Sequence, residues 1–117
     1  MDAVSHATFA DEVIQASRHQ PVLVDFWGPK CAPCLKMMPW VEKLAEELAE
    51  SARIVKVNTA ENRRLAMQLG VMGLPTFALY RDGEEVQRLT GDECTPKAIL
   101  ALLQRHVQGA ALSAGAD

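Results

Sequence analysis

The chain has 117 residues, of which 49% are hydrophobic and 23% charged, which is the size and balance of one globular domain. The formal net charge of −3 and the lack of any lysine- or arginine-rich run argue against nucleic acid or an anionic membrane as a partner. No apolar run approaches the roughly 20 residues of a membrane span, and the N-terminus has neither the basic nor the apolar region of a secretory signal, so we expect a cytoplasmic protein.

The first half of the chain predicts a helix, a buried strand and a second helix. Residues 8–19 combine spaced apolar positions with a polar remainder, as an amphipathic helix does. Residues 21–27, "PVLVDFW", are almost continuously apolar, which is typical of a strand buried on both faces. From 34 to 50 the apolar residues recur with a helical period, so we expect a long amphipathic helix with a kink at Pro39.

The second half predicts a strand, a short helix, a hairpin and a last helix. Residues 53–58, "RIVKVN", predict another buried strand, and 61–70 a helix that ends at a glycine. Residues 76–91 predict a hairpin, because two strand-like runs are joined through Asp-Gly. Residues 95–107 predict a helix that starts with Thr-Pro, a favourable N-cap and first helical residue. A weak strand near residues 3–7 leads the series.

The order of these elements predicts an α/β domain. Alternating strands and helices at the start imply parallel strands, and the closing hairpin implies antiparallel ones. We therefore expect a central mixed β-sheet of four to five strands, flanked by helices on both faces. The domain is predicted to span residues 1–108 as a monomer, and the small, polar segment 109–117 to form a disordered tail.

The chemistry of the chain is expected at "WGPKCAPC", residues 27–34, which holds two of the three cysteines. Cys31 follows the buried strand and precedes the long helix, where free N–H groups and the helix dipole favour a thiolate. We therefore expect Cys31 to be the exposed nucleophile and Cys34, inside the first turn, to resolve a mixed disulfide. Pro33 stiffens the turn between them.

A cysteine pair of this kind has three possible uses: a metal site, a structural disulfide and a redox dithiol. A structural zinc ion needs four ligands, and the chain offers one pair, one distant cysteine and three scattered histidines, so no metal is expected. A structural disulfide would close only a short loop and so restrict the unfolded chain little. A redox dithiol is favoured, since a Cys-x-x-Cys pair near a β-α-β pattern is a known signature of that chemistry.

The quoted segments resemble the thioredoxin family from about Val22 to Val107. The resemblance implies the thioredoxin fold and a cis peptide bond at Leu74–Pro75, which faces the cysteine pair and presents backbone to a docked substrate strand. The matching stretches, in chain order, are "PVLVDFWGPKCAPC", Pro39, "VKVN", "GVMGLPTFALYRDGEEV" and Gly91.

The chain departs from the family around the first cysteine. Most thioredoxins have W-C-G-P-C, whereas this chain has K-C-A-P-C, so Lys30 and Ala32 stand at the lip of the site and Pro29 precedes them. These changes leave the disulfide chemistry intact and bear on partner choice and reduction potential.

Two charged residues in the strands are candidates for the site. Asp25 lies between apolar neighbours, so burial should raise its pKa. The resemblance implies that it relays a proton to or from Cys34; the alternative is an acid that reaches solvent. The resemblance also places Lys56 opposite Asp25 as its charge partner, and the alternative is a lysine that extends to the sheet edge.

The resemblance implies an apolar surface around the sulfur atoms, and ordinary core packing is the alternative. Met37, Met38 and Met67 are predicted to fill the core. Cys94 is interpreted as a bystander thiol, with a regulatory or dimer-forming thiol as the alternative. The residues of the apolar surface would be Trp27, Pro33, Met72, Leu74, Pro75 and Gly91.

Taken together, these features predict a protein-disulfide reductase that works through Cys31 and Cys34. No glycine-rich dinucleotide loop is present in the sequence, so we expect no bound cofactor besides the redox-active Cys31–Cys34 disulfide. Electrons would then come from a separate donor of the thioredoxin reductase type and pass to disulfide-containing proteins. The alternatives are a disulfide oxidase or isomerase, and a thioredoxin-fold chaperone or binding module with incidental cysteines.

Overall fold

Five strands form one mixed sheet at the centre of the computed structural model, which describes residues 1–107. The strand order is β1-β3-β2-β4-β5, with β1, β3 and β2 parallel and with β4 and β5 added antiparallel. The order agrees with the prediction of a parallel start and a closing hairpin. The strands are β1 Asp2–Ala3, β2 Val22–Trp27, β3 Arg53–Asn58, β4 Thr76–Arg81 and β5 Glu84–Thr90.

Three α-helices and three short non-α helices surround the sheet in this part of the chain. The non-α helices are a π-helix at Ala10–Gln15 and 3₁₀ turns at Ala16–Arg18 and Gly91–Glu93. The α-helices are α1 Ala32–Glu47, α2 Arg63–Gln68 and α3 Pro96–His106. Among the helices of residues 1–107, none is long and apolar enough to cross a membrane.

The first helical segment is less regular than the sequence predicts. The expected helix at 8–19 is a π-helix followed by a 3₁₀ turn. The buried Ser17 accounts for the tight end of the segment, because its hydroxyl donates to the carbonyl oxygen of Ile14 at 2.6 Å and accepts from the Gly83 amide at 2.8 Å. These bonds tie the segment to the β4–β5 turn, where Asp82 and Gly83 have the positive φ angles, 53° and 86°, that Asp-Gly tolerates.

The remaining elements follow the prediction closely. The strand predicted at 53–58 is β3 itself, and the leading strand is shorter and earlier than the expected 3–7. Helix α1 begins two residues before the predicted start and contains Pro39. Thr95 caps α3, since its Oγ1 accepts from the Ala98 amide at 3.1 Å. The predicted tail, 109–117, lies outside the described residues, so that part of the domain assignment stays a prediction.

Each face of the sheet buries its own apolar cluster. Successive side chains of a strand point to opposite faces, and on β2 Leu23 packs against α1 and α3, whereas Val24 and Phe26 pack with the N-terminal helical segment and α2. Both faces are therefore covered, which explains the continuous apolar run of β2. Asp25 has the same parity as Leu23, so its side chain lies on the α1 side, among groups that α1 and α3 seal from water.

Candidate active site

The site is built around a disulfide between Cys31 and Cys34 at the start of α1. Their Cα atoms are 5.3 Å apart, and the Cys34 amide donates to Cys31 Sγ at 3.2 Å. Cys31 is the N-cap residue of the helix, with Pro33 in the first turn. Cys31 is partly exposed, whereas Cys34 is only 2% exposed. One sulfur therefore meets solvent and the other lies behind it.

This geometry favours different roles for the two sulfur atoms. The amide that donates to Cys31 Sγ, together with the helix dipole, would stabilise negative charge on that atom once the disulfide is reduced. Cys34 has no comparable access to a large partner. An incoming disulfide would meet Cys31 first, and a second attack would come from Cys34 within the same turn.

The loop before β4 has the cis Leu74–Pro75 peptide bond that the resemblance implies. The carbonyl oxygen of the buried Pro75 accepts from the Gly91 amide at 2.8 Å. Gly91 has a φ angle of 62°, which a residue with a side chain rarely adopts. Thr76 fixes the other side of the loop by donating from Oγ1 to the carbonyl oxygen of Gly73 at 2.6 Å. The loop is thus held by β4 and by the 3₁₀ turn that follows β5.

The third cysteine lies behind this loop. Cys94 is free and buried, and its Sγ donates to the carbonyl oxygen of Pro75 at 3.4 Å. Burial raises the pKa of the Cys94 thiol to about 11, so the group is neutral at physiological pH and unreactive as a nucleophile. These properties favour the interpretation of Cys94 as a bystander in the redox reaction.

Asp25 is the buried acid of the site. It is 2% exposed, which contradicts the alternative of an acid that reaches solvent. Burial raises the pKa of Asp25 to about 7, against a weaker lowering by the charge of Lys56. Its Oδ1 atom makes no hydrogen bond to any residue that the structure describes. A carboxyl group that titrates near neutrality can both give and take a proton.

Lys56 lies opposite Asp25 in the β2–β3 register, but its nearest carboxylate is elsewhere. Its Nζ atom lies 3.7 Å from Oε2 of Glu42 on α1, and its side chain is 24% exposed. Glu42 is thus the ion-pair partner that the sequence did not predict. Lys56 still acts on Asp25 through its charge, and a catalytic part for Lys56 stays a prediction.

The residues of the predicted apolar surface differ in exposure, and their arrangement around the disulfide stays a prediction. Trp27 and Leu74 are half-buried and Pro75 is buried, whereas Met72 is 93% exposed. Lys30, Ala32 and Pro33 are exposed at the lip, as expected. The core interpretation of Met67 is wrong, because this side chain is 80% exposed; α2 is only six residues long and buries Leu65 and Ala66 instead.

A groove of about 450 Å³ opens beside Cys31. The sequence motifs did not indicate three of its lining residues, which follow β3 or begin α2: Thr59, Ala60 and Arg63. The predicted topology could have indicated them. Because β2 and β3 are predicted to be parallel neighbours, the residues after β3 are expected next to those after β2, where the cysteines lie. The lining residues are Gly28, Pro29, Lys30, Cys31, Thr59, Ala60, Arg63 and Leu74.

Within residues 1–107 no group of three or more His, Cys, Asp or Glu side chains is placed to hold a metal ion. The expectation that the chain binds neither a metal nor a further cofactor stays a prediction. The chemistry that the described site can carry out on its own is thiol–disulfide exchange, since its reactive groups are the two sulfur atoms.

In comparisons with known proteins, nearly the whole chain is similar to thioredoxins. The family model described as Thioredoxin matches residues 1–105. Thioredoxin 1 of Synechococcus elongatus is 42% identical over 106 residues, which cover 90% of this chain and 95% of that protein. A thioredoxin of Acetoanaerobium sticklandii is 37% identical, over 86% of this chain and 93% of the relative.

Solved structures also resemble the fold. A thioredoxin of Fasciola hepatica has a TM-score of 0.81 at 30% identity, covering 91% of this chain and 99% of the other. Thioredoxin f2 of Chlamydomonas reinhardtii has a TM-score of 0.82 at 34% identity, covering 91% and 95%. The similarity therefore extends over the strands and helices that position the disulfide.

Proposed function

The chain belongs to the thioredoxin family, and from that premise we propose that Cys31 is the nucleophile and Cys34 the resolving cysteine of its reaction. Family membership together with the Cys31–Cys34 pair makes the protein a thiol–disulfide oxidoreductase that reduces protein disulfides. An oxidase, an isomerase or a binding module with incidental cysteines is not favoured.

The observation that carries the proposal is the unequal exposure of the two sulfur atoms. In the reduced protein the Cys31 thiolate attacks one sulfur of a partner disulfide, forms a mixed disulfide and releases the partner's other sulfur as a thiolate. The Cys34 thiolate then attacks Cys31 Sγ and releases the second partner thiolate. Two electrons and two protons pass to the partner, and the protein is left with the Cys31–Cys34 disulfide, the state that the structure contains.

Asp25 is proposed to accept the proton of Cys34 during the second attack and to return it when the disulfide is reduced. Two features support this role. The side chain lies on the face of β2 that packs against α1, and a pKa of about 7 lets it hold or release a proton at neutral pH. Lys56, whose charge opposes the effect of burial on Asp25, would limit how far that pKa rises.

The apolar loop beside the disulfide is proposed to receive the partner's chain. Leu74 and the cis Pro75 would contact an extended segment, while Gly91, at the start of the 3₁₀ turn, supports that loop through its bond to Pro75, and Trp27 would add apolar surface from the end of β2. Lys30, Ala32 and Pro33 would contact the partner at the lip, and the fully exposed Met72 would extend the contact area.

Regeneration requires two electrons from outside the chain. Thioredoxins in general are reduced by thioredoxin reductase, and we propose an enzyme of that type as the donor, with the Cys31–Cys34 disulfide as the only redox group. Such a cycle fits a reducing compartment such as the cytoplasm, where disulfides are transient.

The test is to trap the mixed disulfide. Cys34→Ser removes the second attack, so the variant should accumulate covalent adducts with disulfide proteins through Cys31, and dithiothreitol should release them. Cys31→Ser is the matched control and should trap nothing. Adducts formed by Cys31→Ser and not by Cys34→Ser would reverse the assignment of the two cysteines.

A further inference from the structure

The groove beside Cys31 has a floor that hydrogen bonds hold in place. The carbonyl oxygen of Trp27 accepts from the Thr59 amide at 2.8 Å and from Thr59 Oγ1 at 3.0 Å. The Ala60 amide donates to Oδ1 of Asn58 at 3.0 Å. A Cβ atom built at Gly28 would lie 3.1 Å from Leu74 Cδ1, so the absence of a side chain at Gly28 lets Leu74 pack closely against the backbone there. The groove is therefore formed before any partner arrives.

Two cations and no carboxylate line this groove. Both are lining residues: Lys30 directly precedes Cys31, and Arg63 is the first residue of α2. Arg63 Nε donates to the carbonyl oxygen of Ala60 at 3.3 Å, which anchors the guanidinium base and leaves its terminal nitrogens without a hydrogen-bond partner among the described residues.

Neither cation is neutralised by the rest of the described chain. Salt bridges within 4.0 Å in residues 1–107 involve the N-terminus, Arg53, Lys56 and Arg88, and not Lys30 or Arg63. Glu61, two residues before Arg63, is exposed and makes no such pair there. The groove is positively charged, although the chain as a whole has a formal net charge of −3. Because salt screens exposed charges, the charge of the groove acts only at short range, on groups that have already reached the site.

We infer that the groove selects an extended segment of a partner protein that carries Asp or Glu beside the cysteine under attack. The inference rests on the proposed function and names the substrate class of the same site. A carboxylate between Lys30 and Arg63 would hold the segment across the ends of β2 and β3 and place the partner disulfide against Cys31 Sγ. The exchange itself is unchanged, since the carboxylate forms no covalent bond.

The test uses two disulfide-bonded peptides that differ only in the residues flanking one cysteine, Glu in one and Gln in the other. The reduced protein should show a kcat/KM about five-fold higher for the Glu peptide at low ionic strength, as expected for two exposed charge pairs. In about 1 M salt, where the Debye length is about 3 Å, the ratio should approach one.

Variants then assign the ratio to the groove. Lys30→Gln with Arg63→Gln should bring the Glu-to-Gln ratio close to one. Lys43→Gln with Lys97→Gln is the matched control, because it removes two exposed positive charges from α1 and α3, neither of which lines the groove, and it should leave the ratio unchanged.

Each outcome has a defined meaning. Activity on the Gln peptide without a preference for Glu, or a preference that survives in the double variant, overturns the inference and leaves the proposed function standing. No activity on either peptide overturns the proposed function instead. If the disulfide of a small thiol peptide with free carboxylates, such as glutathione, competes as well as the Glu peptide, an extended protein segment is the wrong substrate class.

Discussion

In the groove beside Cys31 the structure leaves two cations, Lys30 and Arg63, exposed, whereas on the face of β2 that α1 covers it buries one carboxyl group, Asp25. An exposed charge keeps its hydration and costs the fold little, but its attraction for other groups is weak and screened by salt. A buried charge loses its hydration, so it destabilises the folded state and shifts its own pKa. The lip can therefore be altered to change partners, and the interior to change proton chemistry, largely independently.

The largest expected effect is from Asp25→Asn, which removes the buried charge but keeps the shape. Disulfide reduction should slow about 10-fold to 100-fold, because proton transfer at Cys34 loses its acceptor. The variant should also be more stable at pH 8, by on the order of 4 kcal/mol, since burial raises the pKa of Asp25 from 3.8 to about 7 and each pKa unit corresponds to about 1.4 kcal/mol. Insulin-reduction rates and denaturant melts measure the two effects.

The stability gain of Asp25→Asn should depend on pH, and the raised pKa of Asp25 fixes the direction of that dependence. Burial raises the pKa of Asp25 from 3.8 to about 7, so between these pH values the folded protein holds a proton that the unfolded chain releases. The contribution of Asp25 to stability therefore falls as pH rises through that window and is constant above it. The gain from Asp25→Asn should be small at pH 4 and largest at pH 8. A gain that does not depend on pH would show that Asp25 has the same pKa in the folded and unfolded chain, so that burial does not raise it.

A smaller effect is expected at the lip, from Lys30→Trp. Turnover by a general thioredoxin reductase and on insulin should rise several-fold, because a buried aromatic anchor can contribute about 2 kcal/mol to an interface. The reduction potential should move by at most about 20 mV, since an exposed cation in water interacts with a thiolate by only about 1 kcal/mol.

The control for this prediction is Lys43→Trp, which makes the same replacement on an exposed part of α1 away from the disulfide. It should change neither quantity. A potential shift above about 50 mV in Lys30→Trp with unchanged turnover would mean that Lys30 acts on the sulfur and not on the partner.

The smallest effect is expected at Cys94, which shares the interior with Asp25 but is neutral. With a pKa of about 11, only about one thiol in a thousand is ionised at pH 8. Iodoacetamide should therefore modify Cys31 of the reduced protein quickly and Cys94 only after unfolding, and Cys94→Ser should alter turnover less than twofold. Equal labelling rates for the two thiols would contradict the burial of Cys94.

The sequence predicted the interior of this protein better than its surface. The apolar run of β2 and the Thr-Pro start of α3 are local signals, and both elements were placed to within a residue or so. The buried acid was also predictable, since Asp25 interrupts an apolar strand. Patterns of this kind arise because burial restricts which residues can occupy a position.

Contacts between exposed residues leave no such pattern. The pairing of Lys56 with Glu42 depends on the rotation of α1 over β3, and the place of Arg63 at the groove depends on where α2 begins. The residue type of Met67 alone favours the core, but on the short α2 its side chain is exposed to solvent. These contacts depend on how the helices pack on the sheet, and no local pattern of residues in the sequence indicates that packing.

The outer strand of the hairpin has a consequence for behaviour at high concentration. β5 lies at the edge of the sheet, and its pairing with β4 is irregular between Leu79 and Tyr80. Glu84 at its start is exposed, and Glu85 forms an ion pair with Arg88 at 2.7 Å. Charge and a break in the strand register both hinder another chain from adding to such an edge. These two features make the β5 edge a poor template for strand pairing with another chain, even though the exposed Val86 lies between the charges.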